Sequence, residues 1–338
     1  GETGAGQADM SDNLPPAVVI CGPTAAGKTE IAMALADRFD THLISADSVQ
    51  VFRGMDIGSA KPAPELLARY PHALIDIREP EEGWSAAEFA RLAAAEMRVA
   101  ESRARLPVIV GGTAMHLRAL RYGMDRLPAA DPALRERISQ EAAERGWTAL
   151  HAELARLDPE SGRRIRPSDP QRIQRALEIC RLTGRPASSL QRGRGPDALR
   201  AAEHLVIAPA ERAALHRRID LRWQSMLEQG LLEEVEQLLT RPGLDPQSPA
   251  LRAVGYRQAV DCLQGRFAVD QLPVRGAAAT RQLAKRQLTA FRQWSGAMWY
   301  DPLNKNTIDR IIKRVAILMQ RTIQIRPGRA AGRRGGGP

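Results

Sequence analysis

The chain contains few aromatic residues and few cysteines, and these shortages narrow the classes of protein it can belong to. Phe, Trp and Tyr make up 4% of its 338 residues, although a hydrophobic fraction of 43% is enough for a core. The three cysteines, Cys21, Cys180 and Cys262, are far apart and form no C-x-x-C pair. We therefore expect buried thiols in a reducing compartment rather than disulfides or a zinc site.

Long apolar runs are missing as well. No run reaches the ~18 residues of a membrane-spanning helix, and no signal peptide is recognisable at the start of the sequence. These absences predict a cytoplasmic protein with no membrane contact. We expect residues 1–13 to be a disordered leader and residues 326–338, which are rich in Gly and Arg, to be a disordered tail.

Positive charge is in excess, with 49 Lys and Arg against 39 Asp and Glu and a formal net charge of +10. Such a balance favours a polyanionic partner such as a nucleic acid. A basic but otherwise ordinary enzyme would have the same composition, so charge alone leaves both interpretations open.

The clearest motif is the stretch "CGPTAAGKT" at residues 21–29, which fits the pattern G-x-x-x-x-G-K-[ST]. Glycines let such a loop turn its backbone N–H groups toward a chain of phosphates, and the following helix adds its positive N-terminal dipole. The lysine supplies a charge and the last hydroxyl can hold Mg²⁺. The phosphate-binding residues predicted by this motif are Gly22, Pro23, Thr24, Ala25, Ala26, Gly27, Lys28 and Thr29.

Apolar runs alternate with helical periodicity around this loop, which predicts a doubly wound α/β fold with a parallel sheet. Strands are expected in "AVVICG" (17–22), "THLISAD" (41–47), "HALIDI" (72–77), "LPVIVGGT" (106–113) and "EHLVIAP" (203–209). A helix is expected after Ser85, with Glu88 completing a capping box. We predict a P-loop core at residues 14–130, an inserted helical domain at 131–200, and a return to the core with C-terminal basic helices at 201–325.

The strand at 106–113 ends in glycines and Thr113 rather than in an acidic residue. Motor ATPases and switch GTPases need an acid there to hold magnesium, so group transfer is favoured. Asp47, by contrast, follows a predicted strand at the edge where parallel sheets bind ligands. It could hold a metal, act as a general base, or cap the next turn. His116, near the same edge, is more typical of a structural histidine.

Two basic helices are candidates for contact with nucleic acid. One begins at "DP" and carries Gln171, Arg172 and Arg175. The other, residues 280–294, places Arg281, Lys285 and Arg292 on one face, and we expect its opposite face to pack. The alternative for both is an ordinary solvated surface. Arg135 could likewise be a surface charge or part of a lid.

Several motifs resemble, in order and spacing, those of the tRNA dimethylallyltransferases (isopentenyl-tRNA transferases). They are "GPTAAGKT", "SADSVQVFRGMDIGSAKP", "VGGTAMHL", "DPQRIQRALE", "AVGYRQ" and "AKRQLTAFRQW", and the resemblance covers residues 17 to 300. It implies transfer of a dimethylallyl group from dimethylallyl diphosphate to N6 of the adenosine 3′ to the tRNA anticodon (position 37). The phosphate loop would then hold a prenyl diphosphate.

The resemblance also implies roles for individual residues. Asp47 looks like the general base, Thr113 lies beside the reacting atoms, and Arg135 and Mg²⁺ on Thr29 stabilise the leaving diphosphate. The residues implied in tRNA binding are Asp47, Ser48, Val49, Gln50, Gln171, Arg172, Ile173, Gln174, Arg175, Arg281, Lys285, Arg286 and Arg292. The anticodon stem-loop is the expected RNA element, and a monomer is expected.

Three positions depart from the family pattern: Phe52 and His116 replace a common Tyr, and Ala290 replaces a frequent Trp. These departures affect fine positioning rather than the reaction. Two other functions remain open, a P-loop small-molecule kinase and a non-catalytic RNA-binding protein that retains a phosphate site. No role follows from the pattern of residues 304–325.

Overall fold

The computed structural model describes residues 14–123, 127–128, 130–190 and 197–325. The predicted leader and tail lie outside these residues. The described residues fall into two compact units, one within residues 1–121 and 198–338 and the other within residues 122–197. The predicted insertion, 131–200, has boundaries close to those of the second unit.

The first unit contains a parallel sheet in its described residues. Its strands are β1 (Val18–Cys21), β2 (Thr41–Ser45), β3 (His72–Ala73), β4 (Leu106–Val110), β5 (Glu203–Ile207) and β6 (Met298–Tyr300). They are arranged in the order β3-β2-β4-β1-β5-β6, and every pairing is parallel. The predicted α/β class with a parallel sheet is confirmed.

The connecting helices of this unit are α1 (Lys28–Arg38), α2 (Pro64–Arg69), α3 (Ala86–Ser102), α4 (Ala114–Tyr122), α10 (Arg212–Glu228), α11 (Leu231–Leu239), α12 (Tyr256–Leu263), α13 (Leu272–Arg292) and α14 (Thr307–Ile325). Helix α3 begins with the predicted capping box, in which Ser85 and Glu88 accept each other's backbone N–H groups. No helix in the described part of the chain is both long and apolar enough to cross a membrane.

Alternate residues of β1 pack on opposite faces of the sheet, and both faces are covered. Val18 and Ile20 pack with α1 and α14, whereas Val19 and Cys21 pack with α3 and α4. Burial on both faces explains why the strands are continuous apolar runs rather than alternating ones. The three cysteines are buried and free, as expected.

The second unit contains helices α5 (Pro132–Arg145), α6 (Trp147–Leu157), α7 (Pro159–Arg164), α8 (Pro170–Thr183) and α9 (Ala187–Leu190) around its own apolar core. Asp131 and Asp169 cap the starts of α5 and α8. The chain leaves the first unit at Arg121 and returns at Ala198, and the Ala198 N–H donates to the Arg121 carbonyl at 2.8 Å.

Two strand predictions differ from the structure. The strand expected at 72–77 ends at Ala73, because Leu74 and Asp76 adopt positive φ angles of 68° and 55°. The edge strand β6 was not predicted at all. It has three residues, of which Met298 and Trp299 are exposed, so it is too short to show a periodic pattern.

Candidate active site

The loop between β1 and α1 has the backbone conformation that its glycines allow. Gly22 has a φ of 146°, and a Cβ at this position would collide with the carbonyl oxygen of Ile207 on the neighbouring strand. Gly27, with a φ of 93°, is the residue that precedes α1. Both positions need glycine because other residues rarely adopt positive φ. The loop therefore presents its backbone at the N-terminus of α1.

Lys28 is folded back over its own loop. Its Nζ donates to the carbonyl oxygens of Gly22 (3.1 Å) and Pro23 (2.7 Å). Burial, together with the nearby Arg222 guanidinium, lowers the pKa of Lys28 to about 8. Both hydrogen bonds described for the Lys28 ammonium group go to neutral carbonyl oxygens.

The loop lines a cavity of about 260 Å³ at the carboxyl edge of the sheet. Residues from several parts of the chain form its wall: Thr24, Ala25, Ala26, Gly27, Lys28, Thr29, Glu30, Met33, Asp47, Gln50, Ser59, Ala60, Pro62, Leu66, Val110, Gly111, Gly112, Arg222 and Gln287. The predicted phosphate loop and the predicted base, Asp47, therefore share one cavity.

Asp47 both lines this cavity and caps a turn. One carboxylate oxygen, Oδ1, accepts the N–H groups of Val49 (2.7 Å) and Gln50 (3.0 Å). These bonds fix the side chain at the end of β2. The capping and general-base interpretations are compatible, because the described hydrogen bonds use only one of the two oxygens.

The segment of residues 47–62, which begins at Asp47, folds back to the cavity at its far end. The Gln50 side chain donates to the carbonyls of Ser59 (3.1 Å) and Ala60 (3.3 Å). Between these ends, Phe52 packs into an apolar cluster with α10 to α13. We call residues 47–62 the cavity segment.

Three residues of the C-terminal helices contact the phosphate loop, and none of them was predicted from the sequence. Gln287 of α13 accepts the Thr24 N–H at 2.9 Å and donates to the Gly112 carbonyl at 2.9 Å. It lies on the face of α13 that was expected to pack, and its hydrogen bonds to the two loops were not foreseen. Its side chain joins the loop after β1 to the loop after β4.

Arg218 and Arg222 of α10 reach the same loop. Arg222 Nη1 donates to the Thr24 hydroxyl at 3.0 Å, and Arg218 Nε donates to the Ala25 carbonyl at 2.7 Å. Burial lowers the pKa of Arg222. The spacing of two arginines four residues apart on a helix after β5 was the only signal that could have identified them.

Thr113 and Arg135 are not among the residues that line the cavity. Thr113 follows the cavity-lining Gly112, and its carbonyl accepts the N–H of Leu117 in α4. Arg135 belongs to the second unit, where it donates to the buried carboxylate of Glu178 at 3.0 and 3.1 Å. The catalytic roles of both residues stay predictions.

Helix α8 exposes only part of its predicted RNA-binding stretch. Gln171 and Arg172 are exposed. Ile173 is completely buried in the core of the second unit, so its side chain packs there, and its role in tRNA binding stays a prediction. The amide of Gln174 donates to the Arg135 carbonyl, and Arg175 pairs with Glu178. The 3.6-residue period of the helix separates the exposed residues from the buried ones, because one face of α8 packs in the core of the second unit.

The basic face of α13 borders a groove of about 590 Å³ in the first unit. Arg281, Lys285 and Arg292 line it, together with Trp299, which is 42% exposed. Arg281 forms an ion pair with Asp220 at 2.6 Å. No ion pair in the described part of the chain involves Lys285 or Arg292. Arg286 is also exposed.

Oxygen donors suited to a hard cation line the cavity near the loop. They are the hydroxyl of Thr29 and the carboxylates of Glu30 and Asp47, which are the ligand types that Mg²⁺ accepts alongside substrate phosphates. The described residues contain no cluster of three His, Cys, Asp or Glu side chains able to bind a metal alone. The donor set fits a magnesium ion that is shared with a phosphorylated ligand.

The departures from the family pattern have structural explanations at two of three positions. Phe52 is buried, and its carbonyl accepts a bond from Lys61. His116 is buried and stacks on Phe89 with ring centroids 4.8 Å apart. Ala290 is half-buried, and nothing in the structure explains its choice.

The chain is similar to proteins of one family in both sequence and structure. The model of the IPP transferase family matches residues 50–294. The chain is 54% identical over 304 residues to a tRNA dimethylallyltransferase of Thiobacillus denitrificans, covering 90% of the chain and 97% of that protein. It is 46% identical to tRNA dimethylallyltransferase 2 of Hahella chejuensis, covering 92% and 98%. The crystal structure of a tRNA isopentenylpyrophosphate transferase from Bacillus halodurans matches with 33% identity and a TM-score of 0.66, covering 92% of this chain and 98% of that one.

Proposed function

The chain belongs to the IPP transferase family, and from this premise we propose that it is a tRNA dimethylallyltransferase. The reaction transfers the dimethylallyl group of dimethylallyl diphosphate to N6 of adenosine 37 in the tRNA anticodon loop and releases diphosphate. The observation that supports it best is the single cavity shared by the phosphate loop, Asp47 and Arg222.

Asp47 is the proposed general base. The adenine amine is a weak nucleophile, because its lone pair is delocalised into the ring. As N6 attacks the allylic carbon, the N–C bond forms, the C–O bond to diphosphate breaks, and the N6 proton passes to the Asp47 carboxylate. Its position at the end of β2, fixed by the Val49 and Gln50 N–H groups, holds the acceptor oxygen in place during this transfer.

The loop stabilises the leaving diphosphate, which gains negative charge as the C–O bond breaks. Lys28 and Arg222 line the cavity as cations, and the N-terminus of α1 adds its dipole. The hydrogen bonds to the Gly22 and Pro23 carbonyls use two of the three N–H donors of Lys28, and the third is left for a diphosphate oxygen. Magnesium would be held by the Thr29 hydroxyl, and when bound it supplies Lewis-acid stabilisation of the diphosphate oxygens.

The tRNA would be bound by basic surfaces outside this cavity. Lys285 and Arg292 of α13 and Arg172 of α8 are exposed cations suited to RNA phosphates. A target base must leave its stack to reach a cavity at the sheet edge, and phosphate contacts offset this cost. The cytoplasmic location and the monomeric state stay predictions.

One experiment tests the proposal against its main competitor. The protein is incubated with an unmodified tRNA transcript and labelled dimethylallyl diphosphate, and in parallel with labelled ATP. We expect label on the tRNA from dimethylallyl diphosphate only, at the adenosine 3′ to the anticodon. Label transferred from ATP, or no transfer from either donor, would contradict the proposal.

A further inference from the structure

A single carboxylate from α11 binds the turn at residues 56–58 of the cavity segment. Glu234 accepts hydrogen bonds from three successive backbone N–H groups, those of Asp56 (3.2 Å), Ile57 (2.8 Å) and Gly58 (3.3 Å). The Tyr256 hydroxyl donates to the same carboxylate at 2.6 Å. Hydrogen bonds to an ionised acceptor are stronger than neutral ones, so this one side chain holds the turn firmly.

Close packing and a buried lysine hold the same turn from other directions. A Cβ on Gly58 would lie 2.6 Å from the ring of Tyr256, so the turn rests directly on that buried aromatic residue. Lys61, whose side chain is only 4% exposed, donates to the Phe52 carbonyl and to the Asp56 carboxylate. These contacts restrain the position of the turn.

Hydrogen bonds and short stretches of covalent chain connect this turn to the candidate base. The turn leads directly into Ser59 and Ala60, whose carbonyls accept the Gln50 side-chain amide. The Gln50 backbone N–H in turn donates to the Asp47 carboxylate. Any shift of the turn away from α11 would pull on Gln50 and hence on Asp47.

We propose that Glu234 is a positioning residue for prenyl transfer, which holds Asp47 at the cavity through the turn at 56–58 and Gln50. Its described hydrogen bonds go to the turn and to Tyr256 rather than to Asp47, so its effect is transmitted through the cavity segment. The inference rests on the proposed function, but its structural part can be measured without any substrate.

The variants Glu234→Gln and Tyr256→Phe test it, with Glu233→Gln as the matched control. Gln keeps the size of Glu but offers one acceptor oxygen and no charge. Tyr256→Phe removes one of the four donors and remains informative if Glu234→Gln folds poorly. Glu233 is an exposed acid on the same first turn of α11, so its variant reproduces the loss of charge near the helix N-terminus.

Hydrogen–deuterium exchange of the intact proteins gives the first measurement. We expect faster exchange throughout the cavity segment in Glu234→Gln, including residues 47–50, a smaller effect in Tyr256→Phe, and none in the control. Acceleration confined to residues 56–60, or none at all, would overturn the transmission of the effect to Asp47.

Kinetics give the second measurement. We expect kcat to fall roughly 10–100-fold in Glu234→Gln, the scale for misplacing a catalytic group. The double variant with Gln50→Ala should be impaired little more than the worse of the two single variants, because both act on one path. Additive effects would overturn the proposal. A wild-type protein that transfers no prenyl group would contradict the proposed function instead, and the exchange result would still decide the positioning role.

Discussion

At the scale of single residues, Asp47 combines two tasks that can be separated by substitution. It caps the turn after β2 with one oxygen and is the proposed proton acceptor. Asp47→Asn retains a carbonyl oxygen for the cap but removes the basic carboxylate. We expect turnover to fall by ~10²–10⁴, the range for loss of a general base, with tRNA affinity changed no more than a few-fold.

The matched control for this prediction is Asp40→Asn. Asp40 precedes the same strand at its opposite end and forms an exposed ion pair with Arg105, so its variant should turn over normally. Single-turnover rates with preformed tRNA complexes make the comparison. Turnover of Asp47→Asn near that of the wild type would remove Asp47 from the mechanism.

His116 predicts a pH dependence of stability that is unrelated to catalysis. Burial lowers the pKa of His116 to about 4, against about 6.5 in an unfolded chain. Below pH 6.5 the unfolded state binds a proton that the folded state does not, so the free energy of unfolding falls as the pH drops toward 4. The full decrease is on the order of 3 kcal/mol.

Urea denaturation between pH 7.5 and pH 4.5 measures this dependence. His116→Phe keeps an aromatic ring against Phe89 and removes the titrating group. We expect the stability of the variant to fall less than that of the wild type over this interval, since other titrating groups contribute equally to both proteins. Equal slopes in the two proteins would contradict the assignment.

At the scale of elements, α13 serves two parts of the first unit with different faces. Gln287 joins the loops after β1 and β4, while Lys285 and Arg292 face the groove. Gln287→Ala removes two hydrogen bonds, each worth about 0.5–1.5 kcal/mol. We therefore expect the KM for dimethylallyl diphosphate to rise roughly 10-fold, whereas the exposed Gln282→Ala on the same helix should leave it unchanged. Equal values for the two variants would contradict the bridging role.

The groove face of α13 can be tested by the salt dependence of tRNA binding. Arg281 is paired with Asp220, so the variant of choice is the double substitution Lys285→Ala with Arg292→Ala. If both residues bind RNA phosphates, the slope of log Kd against log salt should shrink by roughly 0.7–0.9 for each phosphate that is no longer neutralised. Diphosphate binding should be unaffected.

The control for the groove face is the removal of Lys313 and Arg321, two exposed cations of α14. It reproduces the change in net charge at a different element. An equal change of slope in both double variants would show that the effect comes from net charge alone. An unchanged slope in the α13 variant would show that this face is an ordinary solvated surface.

The parts of the site that could be predicted are those that lie close together in sequence. The residues from Gly22 to Thr29 form one continuous loop, and Asp47 ends a strand whose edge position follows from the parallel topology. Gln287 and Arg222 could not be found in this way, because they are 263 and 198 residues from Thr24, to which they bond. The burial of Ile173 was not foreseen, because a motif does not reveal which helix face is buried.

At the scale of the whole molecule, the two units have separate cores. The prediction of an inserted domain rests on the change of the chain to an Arg-rich, helical sequence after the fourth strand. The edge strand β6 could not be predicted from the sequence. Its three residues are too few to form a pattern, and they are recognised as a strand by their pairing with β5 in the folded sheet.

The hydrogen bond between the Ala198 N–H and the Arg121 carbonyl brings the two ends of the insertion together. Residues 122–197 should therefore be replaceable by a short Gly-Ser linker without disturbing the sheet. We expect the shortened protein to unfold cooperatively and to bind dimethylallyl diphosphate as the full chain does, while its tRNA affinity falls. Calorimetry with each ligand measures this, and unimpaired tRNA affinity or failure to bind the diphosphate would contradict it. An insertion closed in this way could be acquired, discarded or exchanged in one recombination event without breaking the sheet, although its loss would also remove Arg135 and the contribution predicted for it.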